Sequence, residues 1–355
     1  MILSNYTFHA DQHKGKDVIL VQFPFNNNLK LALKKRFPSA RWSASKKAWY
    51  LPDLSVIRKE LQLQEKNTVE TKALRIHEVN QEAYRALNEQ LTLKDYGKST
   101  ITMYLAEFYH LLVLLDDYPV QDLNPKRLKD YFLYCIRVEK MRERKLNGKI
   151  NAIKFYFEQV LHRPKMFFDI PRPKKATSLP KMLSKSEVKK LFNVTQNIKH
   201  RIALQLCYGM GLRVSEVVNL KIEDIDSKRM VVHVVGAKGK KDRYVPLPKS
   251  ILPKLREYYL SFKPKTYLFE GQYGGPYGKS SLQQVFRLAM KRAKINKKIG
   301  IHGLRHSYAT HLLEAGADMR FIQELLGHHS IKTTQVYTKV TPRSISKVQS
   351  PLDSI

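Results

Sequence analysis

Cysteine, acidic side chains and long apolar runs are all scarce in this chain of 355 residues. Two cysteines, Cys135 and Cys207, are too few for a disulfide framework, which favours a reducing compartment and predicts a cytoplasmic protein. The longest apolar run, near residues 111–115, is far shorter than the roughly 20 residues that a membrane span needs. Asp11 and His13 interrupt the first residues before an apolar signal-peptide segment could form. These absences argue against a secreted disulfide protein and against a membrane protein.

Basic side chains, in contrast, are abundant. The chain has 64 Lys and Arg against 31 Asp and Glu, a formal net charge of +33. A positive field of this size attracts a polyanion, and nucleic acid is a better match than an anionic membrane surface. Hydrophobic residues make up 43% of the chain, enough to build cores, and the length predicts two or three domains.

Residues 1–66 are predicted to form a small α/β domain. A β-prone apolar run covers residues 18–25, and leucines four apart predict a helix over 29–37. Two short strands, Arg41–Ser43 and residues 48–50, flank a turn. Both tryptophans of the chain lie in this hairpin, which suggests either a small core or a DNA-facing surface.

Residues 70–162 are predicted to be a helical bundle. Apolar side chains recur there at helical spacing, for example at Leu128, Tyr131, Phe132, Cys135 and Ile136. The remaining faces are basic, and Lys149 is predicted to lie on them. The candidate DNA-binding residues of this segment are Lys126, Arg127, Arg137, Arg142, Arg144 and Lys145.

A proline-rich linker is predicted over residues 163–181, where Arg172, Lys174 and Lys175 are further candidate DNA contacts. The next domain, 182–340, begins at Ser184, which has capping-box spacing to Glu187. It is mostly helical, with a strand pair near 230–235 and 243–247, and a tail over 341–355 follows it. The fold class is therefore mainly α with small β elements.

Two stretches of this last domain combine glycine with basic residues. Arg213 follows two glycines and opens a helix, with Glu216 one turn later. Lys238 lies at the tip of the predicted hairpin, where Lys240 and Lys241 are candidate DNA contacts. Each stretch alone is typical of an ordinary helix start or of a charged turn.

Two further stretches place histidines near an arginine and a tyrosine. His302 and Arg305 are three residues apart, so they share a helical face near a helix N-terminus, a favourable place for phosphate. His306 has zinc-like spacing to His302, but the glutamate of a zinc-protease helix is absent, so no metal site is predicted. His328 and Tyr337 are nine residues apart.

In order and spacing, these stretches resemble the tyrosine site-specific recombinases and the phage or transposon integrases. The resemblance covers about residues 70–340. It implies a helical core-binding bundle, an α+β catalytic domain, cleavage of double-stranded DNA at specific core sites through a 3′-phosphotyrosine, and a homo-tetramer on two DNA sites. Residues 1–66 lie outside it and faintly resemble the HARP-type domain of annealing helicases. The matched catalytic positions are Arg213, Lys238, His302, Arg305, His328 and Tyr337.

The chemistry of phosphodiester transfer fits these residue types. Arg213 and Arg305 can hold the non-bridging phosphate oxygens, and Tyr337 can attack the phosphorus. His302 is the candidate base, Lys238 the candidate acid for the leaving 5′ oxygen, and His328 a hydrogen-bond donor to the phosphate. With this much positive charge, neither a metal ion nor a cofactor is expected.

The charge and the site residues are also compatible with two other functions. A type IB topoisomerase uses related chemistry but relaxes DNA without exchanging partners, and a non-catalytic DNA-binding protein needs only the charge. The extra N-terminal segment favours an integrase of a mobile element.

Overall fold

A computed structural model describes residues 1–63, 68–164, 181–237, 241–272, 274–328 and 330–337. The chain divides into two compact units, residues 1–177 and 178–355, so the boundary falls inside the predicted linker. Most of that linker, with Arg172, Lys174 and Lys175, lies outside the described residues, as does the tail over 341–355. The mainly helical architecture with small sheets confirms the predicted fold class.

The first unit begins with a four-stranded antiparallel sheet, whose strands lie in the order Thr7–His13, Lys16–Gln22, Ala48–Pro52 and Arg41–Ser43. One side of it packs on a helix, and Ile19, Leu51, Leu33 and Ile57 are fully buried. The strand Thr7–His13 was not predicted, because it lies at the sheet edge and alternates polar and half-buried residues. The elements are β1 (Thr7–His13), β2 (Lys16–Gln22), α1 (Asn27–Arg36), β3 (Arg41–Ser43), β4 (Ala48–Pro52) and α2 (Ser55–Glu60).

A helical bundle follows in the same unit. Its core includes Leu128, Phe132 and Cys135, as predicted, but Ile136 is 42% exposed, so its predicted place in the core is wrong. At eight residues from Leu128, Ile136 is rotated about 80° around the helix, beyond the buried stripe. The helices are α3 (Thr68–Ala73), α4 (Glu78–Leu93), α5 (Lys98–Leu115), α6 (Pro125–Arg137) and α7 (Glu143–Phe155), which ends in a π-helical turn (Tyr156–Val160).

Lys149 of α7 lies inside this bundle and not on its basic surface, which corrects the prediction. Its side chain is completely buried, donates to the Tyr131 hydroxyl over 3.0 Å and forms an ion pair of 3.1 Å with Glu107. A buried ammonium group needs such partners, because burial without them costs several kcal/mol. No helix among the described residues is both long and apolar enough to cross a membrane.

The second unit is a helical domain with a three-stranded antiparallel sheet, whose strands lie in the order Ile225–Asp226, Val231–Ala237 and Lys241–Pro246. The predicted capping box at its start is confirmed, since Ser184 Oγ accepts from the Glu187 amide and Glu187 accepts from the Ser184 amide. The hairpin tip, with Lys238 and Lys240, lies outside the described residues, as does the Lys241 side chain. The elements are α8 (Lys185–Asn193), α9 (Ile198–Gly209), α10 (Val214–Asn219), β5 (Ile225–Asp226), β6 (Val231–Ala237), β7 (Lys241–Pro246), α11 (Leu252–Phe262), α12 (Lys279–Arg292), α13 (His302–Glu314), α14 (Met319–Leu326) and α15 (Ile331–Gln335).

Candidate active site

A buried carboxylate organises the arginines of the second unit. Glu216 of α10 accepts from Arg213 Nη1 at 2.7 Å, and both of its oxygens accept from Arg243 of β7 at 3.0 and 2.8 Å. Burial opposes ionisation of Glu216, but the hydrogen bonds and charges of Arg243 and Arg213 outweigh it and lower its pKa to about 2. Glu216 is therefore an anion at neutral pH, and it fixes the position of two guanidinium groups.

Arg305 of α13 lies beside this cluster and is 1% exposed. It donates to the carbonyl oxygens of Gly211 and Leu326, and its Nη1 lies 3.9 Å from Glu216. Burial, and then the charge of Arg213, lower the pKa of Arg305 to about 10, so it stays a cation at neutral pH. Its Nε is buried without a hydrogen-bond acceptor among the described residues. A buried cationic N–H group without an acceptor, such as Arg305 Nε, is typical of a site that binds an anion.

The turn before α10 brings these arginines together because its backbone is close to α13 and α14. Gly211 has a φ of +60°, and a Cβ there would lie 2.5 Å from the Tyr308 ring and 2.9 Å from Leu326. Only glycine fits this conformation and this space. Its carbonyl oxygen accepts from Arg305, while Arg213 donates to the Gly327 carbonyl oxygen, next to the Leu326 carbonyl that also accepts from Arg305.

Two histidines contact the candidate nucleophile, and a third, His302, lies beside one of them. Tyr337 is 3% exposed, and Nδ1 of His306 lies 3.0 Å from its hydroxyl oxygen. The His302 ring is 4.6 Å from the His306 ring, and the His328 ring is stacked 6.4 Å from Tyr337. His328 is held in turn by Thr334, 3.0 Å from its Nδ1. Tyr337 therefore has imidazoles on more than one side.

Burial sets the protonation of these groups. It is the main cause that lowers the pKa of His302 and of His328 to about 4, and it also lowers the pKa of His306. The same burial raises the pKa of Tyr337 above its usual value, although the charges of Arg305 and Arg213 act in the opposite direction. At neutral pH the site therefore holds neutral imidazoles beside a protonated phenol, which is an acid next to its candidate base.

Five of the six predicted catalytic positions thus lie in one site, whereas Lys238 lies outside the described residues. Two residues of the site were missed by the sequence interpretation. Arg243 shares the strand face of the buried Val245, so alternation along β7 was the available signal. His306 was weighed only as a metal ligand, and no sequence spacing relates it to Tyr337.

The predicted DNA-binding residues of the bundle are all exposed. They lie on or beside α6 and α7, and Arg127 stacks on the Tyr118 ring at 4.2 Å. Exposed guanidinium and ammonium groups on two consecutive helices are available for phosphate contacts. These residues are Lys126, Arg127, Arg137, Arg142, Arg144 and Lys145.

Two family models match consecutive parts of the chain. Residues 181–343 match the model of the phage integrase family, and residues 84–165 match the N-terminal SAM-like domain of phage integrases. The tyrosine recombinase XerA of Pyrococcus horikoshii is 38% identical over 280 residues, which cover 75% of this chain and 92% of XerA. A putative integrase/recombinase of Sinorhizobium fredii is 39% identical over 233 residues, covering 65% of this chain and 76% of that protein.

Solved structures agree on the fold. A lambda integrase dimer bound to a core site matches with a TM-score of 0.61 and 18% identity, over 74% of this chain and 96% of that one. The Tn1549 transposon integrase in complex with circular intermediate DNA matches with a TM-score of 0.59 and 18% identity, over 75% of this chain and 99% of that one. Residues 1–63, with their four-stranded sheet, precede both family-model matches.

Proposed function

The chain belongs to the phage integrase family of tyrosine recombinases, and from this premise we propose that Tyr337 is the nucleophile of a site-specific recombinase. Members of this family cleave and rejoin DNA. The observation that carries the assignment is the contact between Tyr337 and His306 beside the arginine cluster. A tyrosine that served only as a core residue would not need two arginines and two histidines beside it.

Arg213 and Arg305 bind the scissile phosphate in this proposal. Both guanidinium groups now donate to backbone carbonyls, and Glu216, which also accepts from Arg243, holds Arg213 in place. An incoming phosphate would supply the acceptor that Arg305 Nε lacks. Two fixed cations stabilise the extra negative charge on the non-bridging oxygens in the transition state.

The proton of Tyr337 passes to a histidine as its oxygen bonds to phosphorus. We assign this role to His306, because its Nδ1 is at the hydroxyl, whereas the sequence favoured His302. The bond from phosphorus to the 5′ oxygen breaks, and Lys238 donates the proton that the leaving oxygen needs. The products are a 3′-phosphotyrosine and a free 5′ hydroxyl, which can attack a partner strand in the reverse sense. Because Tyr337 is buried, DNA binding has to expose its hydroxyl.

The proposed oligomeric state follows from the number of cleaved strands. Each DNA site has two strands to cleave, so it needs two active sites. A homo-tetramer on two core sites provides this number, with the bundle and the catalytic domain on the duplex. We further propose that residues 1–66 are an accessory DNA-binding domain, and that the enzyme is a cytoplasmic integrase of a mobile element. The extra domain ahead of the recombinase matches supports the accessory role and the mobile-element assignment.

Covalent trapping tests the proposed function. A nicked suicide substrate loses a short strand after cleavage, so the 3′-phosphotyrosine adduct accumulates on the wild-type chain. Tyr337→Phe should form no adduct while its DNA affinity stays within about twofold, because only one oxygen is removed. Adduct formation by Tyr337→Phe would assign the nucleophile elsewhere, and equal trapping on DNA of any sequence would favour a topoisomerase.

A further inference from the structure

One end of the N-terminal sheet carries large aromatic side chains in water. Phe25 is fully exposed and Trp42 is 54% exposed, although burial of such side chains is strongly favoured. Trp42 and Trp49 are direct cross-strand partners between β3 and β4, and their rings meet edge to face at 5.8 Å. Val21 of β2 is the partner of Trp49 on its other side. Val21, Trp42 and Trp49 therefore lie on the same face of the sheet.

A cavity of about 290 Å³ opens between these side chains. Its size is at the lower end of that of small-ligand sites. Its walls are aromatic rings with one cation, Lys47, and one side-chain amide, Gln22. We call it the aromatic cradle, and its lining residues are Val21, Gln22, Phe23, Phe25, Trp42, Lys47, Ala48 and Trp49.

The charge around the aromatic cradle is positive. Residues 1–63 contain eleven Lys and Arg against four Asp and Glu. Lys34 of α1 lies over the Trp49 ring at 5.1 Å, and no carboxylate lines the cradle. The carboxylates instead have partners elsewhere in the domain: Asp11 pairs with Lys46, Asp53 with Arg58, Glu60 with Arg36, and Asp17 accepts from Gln12. The aromatic rings and the positive charge therefore favour a ligand that combines a flat ring with negative charge. They disfavour a cationic ligand, and an acidic protein surface would not use the aromatic rings.

We propose that the aromatic cradle binds an unpaired nucleobase of single-stranded DNA. The base would stack on Trp42 and Phe25, Gln22 could hydrogen-bond its edge, and Lys34 and Lys47 would contact the adjoining phosphates. A base inside a duplex has both ring faces covered by its neighbours, so only an unstacked base can enter. This use rests on the proposed strand exchange, in which cleaved strands leave one duplex before they join another.

The two tryptophans of the chain, both in the aromatic cradle, provide the measurement. A base that stacks there should quench the intrinsic tryptophan fluorescence of the full-length protein, whereas DNA bound to other parts of the chain leaves it unchanged. We expect saturable quenching by a single-stranded oligothymidine and little quenching by a hairpin duplex of the same length. Phe25→Ala should weaken the fluorescence-detected affinity about tenfold.

Leu31→Ala is the matched control, because Leu31 is 59% exposed in the same domain but does not line the aromatic cradle. Its affinity should equal that of the wild type. Trp42→Phe should retain saturable quenching of the remaining Trp49 signal, which separates loss of stacking from loss of folding.

Three results would overturn the proposal: equal quenching by the duplex, no quenching by either DNA, or a fluorescence change that depends on protein concentration alone. The last would assign the surface to contact between two copies of the chain. The covalent adduct of the wild type on a suicide substrate is measured on the same preparation. Its absence would contradict the recombinase function, whatever the fluorescence shows.

Discussion

At the scale of single residues, the hydrogen bond between His306 and Tyr337 makes the sharpest prediction. His306→Asn can preserve a polar atom near the hydroxyl but cannot take its proton, so single-turnover cleavage should fall about 100-fold or more. His311→Asn is the control, because Nδ1 of His311 lies 2.9 Å from the hydroxyl of Tyr208, a different tyrosine, and His311 is also on α13. That variant should cleave at the wild-type rate.

The pH profile gives the same test a second readout. A base must be neutral to accept a proton, and burial lowers the pKa of His306 below 6.5. Wild-type cleavage should therefore persist as the pH falls to 6.5 and be lost only below it, and this acid limb should change in His306→Asn. An unchanged rate and profile in that variant would return the role of base to His302.

Glu216 permits a stability prediction. With a folded pKa of about 2 against 4.5 in the unfolded chain, it stabilises the fold fully above pH 4.5, and this contribution disappears as the pH falls towards 2. Glu216→Gln should lower the free energy of unfolding by about 3 kcal/mol at pH 7, since it leaves buried arginines without their anion. Urea unfolding followed by circular dichroism measures this.

Glu223→Gln is the control for that measurement, because Glu223 pairs with Lys221 at the surface and 73% of its side chain is exposed. It should unfold at the wild-type urea concentration. If the two variants behave alike, Glu216 does not hold the arginine cluster together.

The sequence was most informative for these single residues. Arg213, His302, Arg305, His328 and Tyr337 were found because their order and spacing match a known constellation, and the structure brings them together. Neither Arg243 nor His306 could be found in that way, because their roles depend on contacts between elements far apart in the chain, 27 residues from Glu216 and 31 from Tyr337.

At the scale of elements, the turn between α9 and α10 offers two glycines with opposite expectations. Gly211→Ala would place a methyl group against Tyr308 and Leu326 in a left-handed backbone conformation, which should destabilise the protein by about 2–4 kcal/mol and displace Arg305. Gly209 lies in α9, and a Cβ there would be 3.6 Å from Pro248 Cγ, an ordinary contact. Gly209→Ala should therefore be neutral or stabilise the protein by up to about 1 kcal/mol. Thermal unfolding and cleavage of both variants would be compared, and equal effects would contradict the close packing at Gly211.

The sequence predicted the helices and strands that bury one face in a core, and it missed a strand that does not. Periodicity found α6 and the β6–β7 pair, and capping chemistry found the start of α8. It failed for β1, an edge strand, and for Lys149, whose burial depends on Glu107 and Tyr131 from other helices. A helical pattern shows which residues share a face, but the neighbours of that face come from the tertiary fold.

At the scale of the whole molecule, the N-terminal domain lies ahead of the residues that match the recombinase family models. Deleting residues 1–66 should leave cleavage of a short core-site suicide substrate within about twofold, because the proposed site lies entirely in the second unit. Recombination between longer natural sites should fall at least about tenfold, since the deletion removes a positively charged surface. Full recombination by the truncated protein would show that the domain is no DNA-binding accessory.

The two cysteines have a practical consequence. Cys135 and Cys207 are both buried, and burial raises the pKa of both thiols, that of Cys207 to about 12. Thiolates are the reactive form, so neither should react with maleimide or disulfide reagents in the native protein. A single substitution such as Lys47→Cys would therefore supply the chain's one accessible thiol, ready for a fluorescent label or for a cross-link to thiol-modified DNA without first removing any natural cysteine.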